Sequence, residues 1–227
     1  MIALLRRSLD ASPHGVFETF PGVTFPPDVA VVIGAVALHD RITGGAHAAL
    51  VRRAVERFVA TSIEPTSGFV WQRADPRTGA GLDAPRGSGT AISAFALSFA
   101  DDPAAARLRD ALRAQTVTLL GFGAVREYAP GWSGAGDIDS GPVVLGVSVA
   151  GTGFSLASAR QAGDRGWFRG LARTMHLFGV PWRADERTRY LTGGALGDAV
   201  LLAETFLDPE PEERDLRRAI RGAGPAG

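Results

Sequence analysis

Two aspartates separated by one residue, Asp137 and Asp139, stand in a loop from Trp132 to Pro142 that also carries Gly134, Gly136 and Gly141. In an extended loop they flank Ile138 and face one cavity, and the glycines leave room for a substrate. Paired carboxylates divide acid and base roles when their surroundings separate their proton affinities, and their spacing decides between direct attack and activation of water. A structural reading competes with this one. Asp139 or Ser140 caps a helix whose first turn contains Pro142, and Asp137 ties down the loop's own backbone. Asp137 is the freer of the two to react, while Asp139 suits both purposes.

Other residues fit the same cavity. Arg86, in the run Ala84 to Ser88, either binds an anionic group or pairs with Asp137 or Asp139. Asp28 follows Pro26 and Pro27 at a helix start, where it serves as a cap or lines the cavity. Asp198 interrupts an apolar run from Leu196 to Leu202 and needs an arginine, a hydroxyl or a substrate as partner. Trp71, Tyr128, Trp132 and Trp182 fall in or beside loops. Aromatics so placed stack on a sugar, bound a terpene-like substrate, or plug the end of the fold. His39 and His176 read as packing residues, and the four histidines are too dispersed to suggest a metal site. No motif calls for a cofactor, so neither metal nor cofactor is expected.

Composition narrows the classes. Its 24 basic side chains are all arginine and are balanced by 24 carboxylates. With no net charge, nothing steers the chain toward nucleic acid, and no nucleic-acid partner is expected. The chain has no cysteine, which excludes disulfides, thiolate chemistry and cysteine-ligated metals. Its longest early apolar run, Val29 to Leu38, is short for a membrane span, and Met1 to Arg7 lacks a secretory pattern. The expected setting is cytoplasmic.

Helices must position these residues. Apolar spacing predicts a first helical pair from Pro26 to Thr61, with Val51, Val55 and Phe58 on the inner face of its second member. A structured loop from Ile63 to Ala84 follows, with a minimal β-hairpin turned by Asp75 to Gly79. A small-residue helix from Gly89 to Phe99 then precedes an amphipathic partner carrying Ala105, Leu108, Leu112, Gln115 and Leu119. Pro142 to Arg160 admits a strand at Val143 to Val149, but its length favours an inner helix, paired with Arg165 to Phe178. A fourth pair is predicted at Ala195 to Phe206 and Pro211 to Ile220. The alternation of apolar and arginine-rich helices predicts an all-α fold, an α/α toroid or partial toroid of about four helical hairpins. Residues 1–25 form an arm, 26–220 one domain, and 221–227 a flexible tail.

Four segments carry a resemblance: Leu82 to Ser88, Leu120 to Tyr128, Gly136 to Pro142, and Leu191 to Asp198. Together they resemble the bacterial α/α-toroid proteins related to the catalytic domain of linalool dehydratase/isomerase. That resemblance implies an all-helical barrel with a central pocket, and the addition or removal of water at a monoterpene alcohol without a redox cofactor. The family's cysteines have no counterpart here. The same architecture resembles many glycoside hydrolases and glycan lyases, in which loop carboxylates do the work.

The expected function is therefore a cofactor-independent acid/base enzyme with a central pocket, of glycoside hydrolase-like activity. Asp137 and Asp139 are its catalytic pair, and Asp28, Trp71, Arg86, Tyr128, Trp132 and Asp198 bind a small-molecule substrate. A terpenoid hydratase, dehydratase or isomerase is the first alternative. A non-catalytic structural or ligand-binding toroid is the second, with a homo-oligomer completing or covering an open ring.

Overall fold

The computed structural model describes residues 2–137, 140–184 and 187–192. Seven helices lie among them: α1 (Ile2–Ala11), α2 (Pro26–Thr43), α3 (Ala48–Thr61), α4 (Gly87–Leu97), α5 (Asp102–Ala114), α6 (Val149–Gln161) and α7 (Arg165–Gly179). Between them run β1 (Val70–Trp71), β2 (Pro85–Arg86), β3 (Thr116–Leu119), β4 (Phe122–Val125), β5 (Val143–Val144), β6 (Val147–Ser148), β7 (Pro181–Ala184) and β8 (Arg187–Tyr190). Each consecutive pair of strands forms a two-stranded antiparallel sheet.

The helices stack in two layers. α2, α4 and α6 form an inner row, in which α4 packs against both neighbours, and α3, α5 and α7 each pack on the inner helix before them. α1 closes the α2–α3 end. The outer helices are amphipathic and bury one stripe each: Val51, Ala54, Val55 and Phe58 in α3, Ala104, Ala105, Leu108 and Leu112 in α5, and Trp167, Gly170, Leu171 and Thr174 in α7. Of the inner helices, α4 and α6 are instead small-residue rods, while α2 buries Val29, Ile33 and Val36. α4 buries nine of its 11 residues, Leu97 being the largest. Small side chains let the inner helices approach closely, and a Cβ on Gly34 of α2 would collide with the Ala96 carbonyl of α4.

Polar side chains fix the helix starts. Asp101 accepts from the Ala104 N–H at 2.8 Å, Ser148 from that of Gly151 at 2.9 Å, and Asp164 from that of Trp167 at 2.8 Å. The N-terminus of α2 differs from expectation. Phe25 occupies the cap position without a side-chain cap, and Asp28 sits exposed in the first turn, where its charge complements the positive end of the helix.

The fold is mixed α and β, and eight strands among the described residues overturn the all-α toroid of about four helical hairpins. Two predicted helices change most. Leu119 leaves the α5 stripe for β3, and the first residues of the Pro142 to Arg160 segment form the β5–β6 hairpin, so α6 begins at Val149. Ser148 caps it, replacing the expected cap from Asp139 or Ser140. The fourth predicted helical pair and the tail lie outside the described residues. No helix among the described residues is long and apolar enough to cross a membrane.

Because the Gly34 contact meets rigid backbone, Gly34→Ala is expected to lower stability by about 1–3 kcal/mol. Val31→Ala, at an exposed position of the same helix, is expected to change it by no more than about 0.5 kcal/mol. Urea midpoints of the two variants check the contrast.

Candidate functional site

The β segments before α4 and α6 join into a strip across the starts of those helices. Val70 pairs with Arg86 and Trp71 with Pro85. Beyond β2, Arg86 bridges Tyr128 and the Gly87 N–H donates to the Glu127 carbonyl at 2.8 Å. On the other side Arg126 bridges Val147, and the Glu127 N–H donates to the Gly146 carbonyl at 3.1 Å. Two threonines fasten the strip to the inner helices. Thr90 Oγ1 accepts from the Val70 N–H at 2.9 Å, and Thr152 Oγ1 accepts from the Val125 N–H at 3.1 Å.

Arg86 is the centre of this strip. It is 8% exposed and precedes the first turn of α4. Its Nη1 donates to Asp137 Oδ2 at 2.5 Å, its Nη2 lies 3.7 Å from Asp83 Oδ2, and its guanidinium stands 5.5 Å from the centre of the Tyr128 ring. Asp137 is half-held by its own loop as well. The Ser140 N–H donates to Asp137 Oδ1 at 2.9 Å, and the Asp137 N–H donates to Ser140 Oγ at 2.9 Å. Burial opposes ionisation of Asp137, but the Ser140 N–H and the Arg86 guanidinium outweigh it and hold the carboxyl below its ordinary range.

Below the rim lies a carboxyl that loop reading overlooked. Glu127 is fully buried, accepting from Ser88 Oγ at 2.7 Å and from the Ser88 N–H at 3.2 Å, with Ser148 as a further hydroxyl neighbour. Burial pushes it above the ordinary glutamate range, against the opposing effect of the serines and of Arg86. The alternation of β4 and its extension turns it inward. Gly123, Val125, Glu127 and Ala129 are buried, while the residues between them are not, the period of two that a strand imposes.

Aromatic residues wall the rim. Trp71 and Trp132 meet edge to face with ring centres 5.6 Å apart, and the Tyr128 hydroxyl donates to the Ala135 carbonyl at 2.9 Å. Burial raises the Tyr128 hydroxyl above its ordinary value, with Arg86 opposing, so it stays a proton donor. Thus Trp71, Arg86, Tyr128, Trp132 and Asp137 come together, while Asp28 stands in the first turn of α2 and Trp182 is exposed on β7, in a separate hairpin. Asp139 and Asp198 lie outside the described residues.

The chain matches no protein-family model and no curated protein. Among the described residues, no group of three or more histidine and carboxylate side chains could hold a metal ion.

The two carboxyls give opposite pH signatures. Asp137, held low, contributes stability that is complete above the unfolded aspartate range and is lost as pH falls through its own lower value. Glu127, held high, favours the folded state fully below the ordinary glutamate range, and that contribution is lost as pH rises through its raised value. Asp137→Asn is expected to flatten the acid side of a plot of urea midpoint against pH, and Glu127→Gln the side above the ordinary glutamate range.

Proposed function

We propose that this protein is a cofactor-independent acid/base enzyme acting on a hydroxylated, sugar-like substrate at the Arg86 rim. The observation that carries this reading is the opposite displacement of two carboxyls near one guanidinium, Asp137 held below its ordinary range by Ser140 and Arg86 and Glu127 pushed above its own by burial. Carboxyls separated in this way are what glycosidic chemistry uses, one to donate a proton to a leaving oxygen and one to act as base or nucleophile. Glu127 thus takes the acid role first assigned within the Asp137 and Asp139 pair, and Asp137 keeps the anionic one.

The rim suits a sugar better than a terpene. Trp71, Trp132 and Tyr128 present ring faces and edges beside Arg86 and Asp137, a mixture of stacking surface and charge that matches a ring bearing hydroxyls. A terpene alcohol would need an apolar chamber instead. Ser148, a hydroxyl neighbour of Glu127, donates to the Ser140 carbonyl at 3.3 Å, so in this proposal Glu127 must gain access to a leaving oxygen on binding. A second reading, a non-catalytic binding protein, draws support from the complete burial of Glu127.

A panel of nitrophenyl glycosides, oligosaccharides and monoterpene alcohols separates these readings. Under the enzyme reading the wild type turns over a member of the sugar set, and Glu127→Gln lowers kcat by about 10²- to 10⁴-fold while binding survives. Undiminished turnover in a folded Glu127→Gln variant would reject its acid role. Binding without turnover across the panel would favour the non-catalytic reading.

A further inference from the structure

The β3–β4 hairpin and α7 enclose a second cleft, of about 400 Å³, that shares no residue with the Arg86 site. Arg113, Arg169 and Arg173 line it with Thr116, Thr118 and Trp167, and Gly121, Gly123, Gly166 and Gly170 form the rest of its wall. Glycine on both sides brings strand and helix close. A Cβ on Gly123 would stand 3.2 Å from the Gly170 backbone, and one on Gly170 3.2 Å from the Gly123 nitrogen.

The cleft is a collection of donors. A guanidinium and an indole N–H donate and never accept. Arg113 Nε donates to Asp164 at 2.9 Å, and its guanidinium stands 5.8 Å from the Trp167 ring centre. Arg173 donates to the Gly121 carbonyl at 3.1 Å and Arg169 to the Arg165 carbonyl at 3.1 Å. Those two contacts use neutral oxygens. Among the described residues, Asp164 on Arg113 is the one carboxylate that pairs with any of the three arginines.

Trp167 forms a buried part of the cleft wall. It is 4% exposed, and its Nε1–H is buried without a hydrogen-bond partner among the described residues. Buried donors are nearly always partnered, and an indole N–H held in the cleft wall without one reports on any change in the contacts around it. The opposed carboxylate is already engaged, and it also caps α7 through the Trp167 N–H.

We propose that this cleft binds a phosphate monoester through its phosphoryl group. Three guanidiniums against one engaged carboxylate call for an anion with more than one charge, and planar guanidinium forks fit the several oxygens of a phosphoryl group. The volume holds more than the phosphoryl group alone, which leaves space for the esterified body. The site stands whether or not the Arg86 rim is catalytic.

The test follows the Trp167 indole N–H resonance in a ¹H–¹⁵N spectrum of the whole chain, assigned by its loss in Trp167→Phe. Inorganic phosphate and glucose 6-phosphate are titrated against sodium chloride of matched ionic strength, with glucose as the uncharged control. Vesicles with and without phosphatidic acid test whether the phosphoryl group is presented on a lipid. The expected result is a saturable shift with phosphate or glucose 6-phosphate, weakened at least about tenfold in Arg169→Gln and in Arg173→Gln, since each removes a charge-assisted contact. Arg169→Gln keeps the test decisive if loss of the Arg173 contact to Gly121 disturbs the hairpin. Sedimentation only with phosphatidic acid vesicles, lost in Arg169→Gln, supports the proposal with lipid as the source. No response to any phosphoryl probe, an equal response to chloride, or unchanged affinity in folded Arg169→Gln overturns it.

Discussion

The burial of Glu127 is the constraint on which the rest of the strip depends. Taking a carboxyl wholly out of water is costly unless donors replace the lost solvent. Here they come from the N-terminus of α4, where the Ser88 N–H and hydroxyl both reach it and the helix end favours negative charge. Burial still dominates, and the carboxyl is held above its ordinary range. Each donor fixes a neighbour. Ser88 can reach Glu127 only if α4 begins where it does, and that start is set by the Gly87 N–H on the Glu127 carbonyl. Gly87 in turn has no room for a side chain, since a Cβ there would run into the Arg126 carbonyl.

The same logic repeats one helix on. Gly89, Thr90 and Ser93 of α4 match Gly151, Thr152 and Ser155 of α6 in type and spacing. In both helices the threonine donates to the carbonyl four residues back and accepts from a strand N–H, and the serine donates back to the glycine. These hydroxyls satisfy themselves within the helix, so a polar inner row can pack as tightly as an alanine one. The outer helices add large apolar side chains such as Phe58, Leu108 and Leu171, and α4 and α6 position the strip.

Amphipathic periodicity made the outer helices legible, because a stripe such as Leu108 and Leu112 leaves no other face to bury. The hairpins were hidden by their turns. Leu120-Gly121 and Leu145-Gly146 each have both residues at positive φ, 51° and 82° in the first and 52° and 82° in the second. That is the turn in which asparagine or aspartate before glycine is the usual signal. A leucine there pays for a left-handed backbone and reads from sequence as one more apolar helical residue, although Leu120 is 90% and Leu145 97% exposed. That Arg86, Trp71, Tyr128 and Trp132 come together, and Trp182 does not, follows from charge and aromatic rings beside glycine-rich breaks having few purely local uses, while Trp182 belongs to the β7–β8 hairpin. Glu127 was not legible, because its role depends on the register of a strand extension that those concealed turns establish.

Register also explains why the two carboxyls differ. Along the β4 extension, the inward position falls on Glu127 and sends Arg126 and Tyr128 outward, and Arg86 acts on Glu127 through its charge. Asp137 reaches the same guanidinium directly because it arrives on a loop, free of a strand's alternation. Arg86 itself sits at the positive end of α4, where a cation is disfavoured. The anionic partners Asp137 and Asp83 make that position tenable. The guanidinium therefore needs an ionised Asp137 more than Asp137 needs a particular arginine. The result is one carboxyl held below its ordinary range and one held above it within a single strip, an asymmetry that comes from backbone geometry rather than from any difference between aspartate and glutamate.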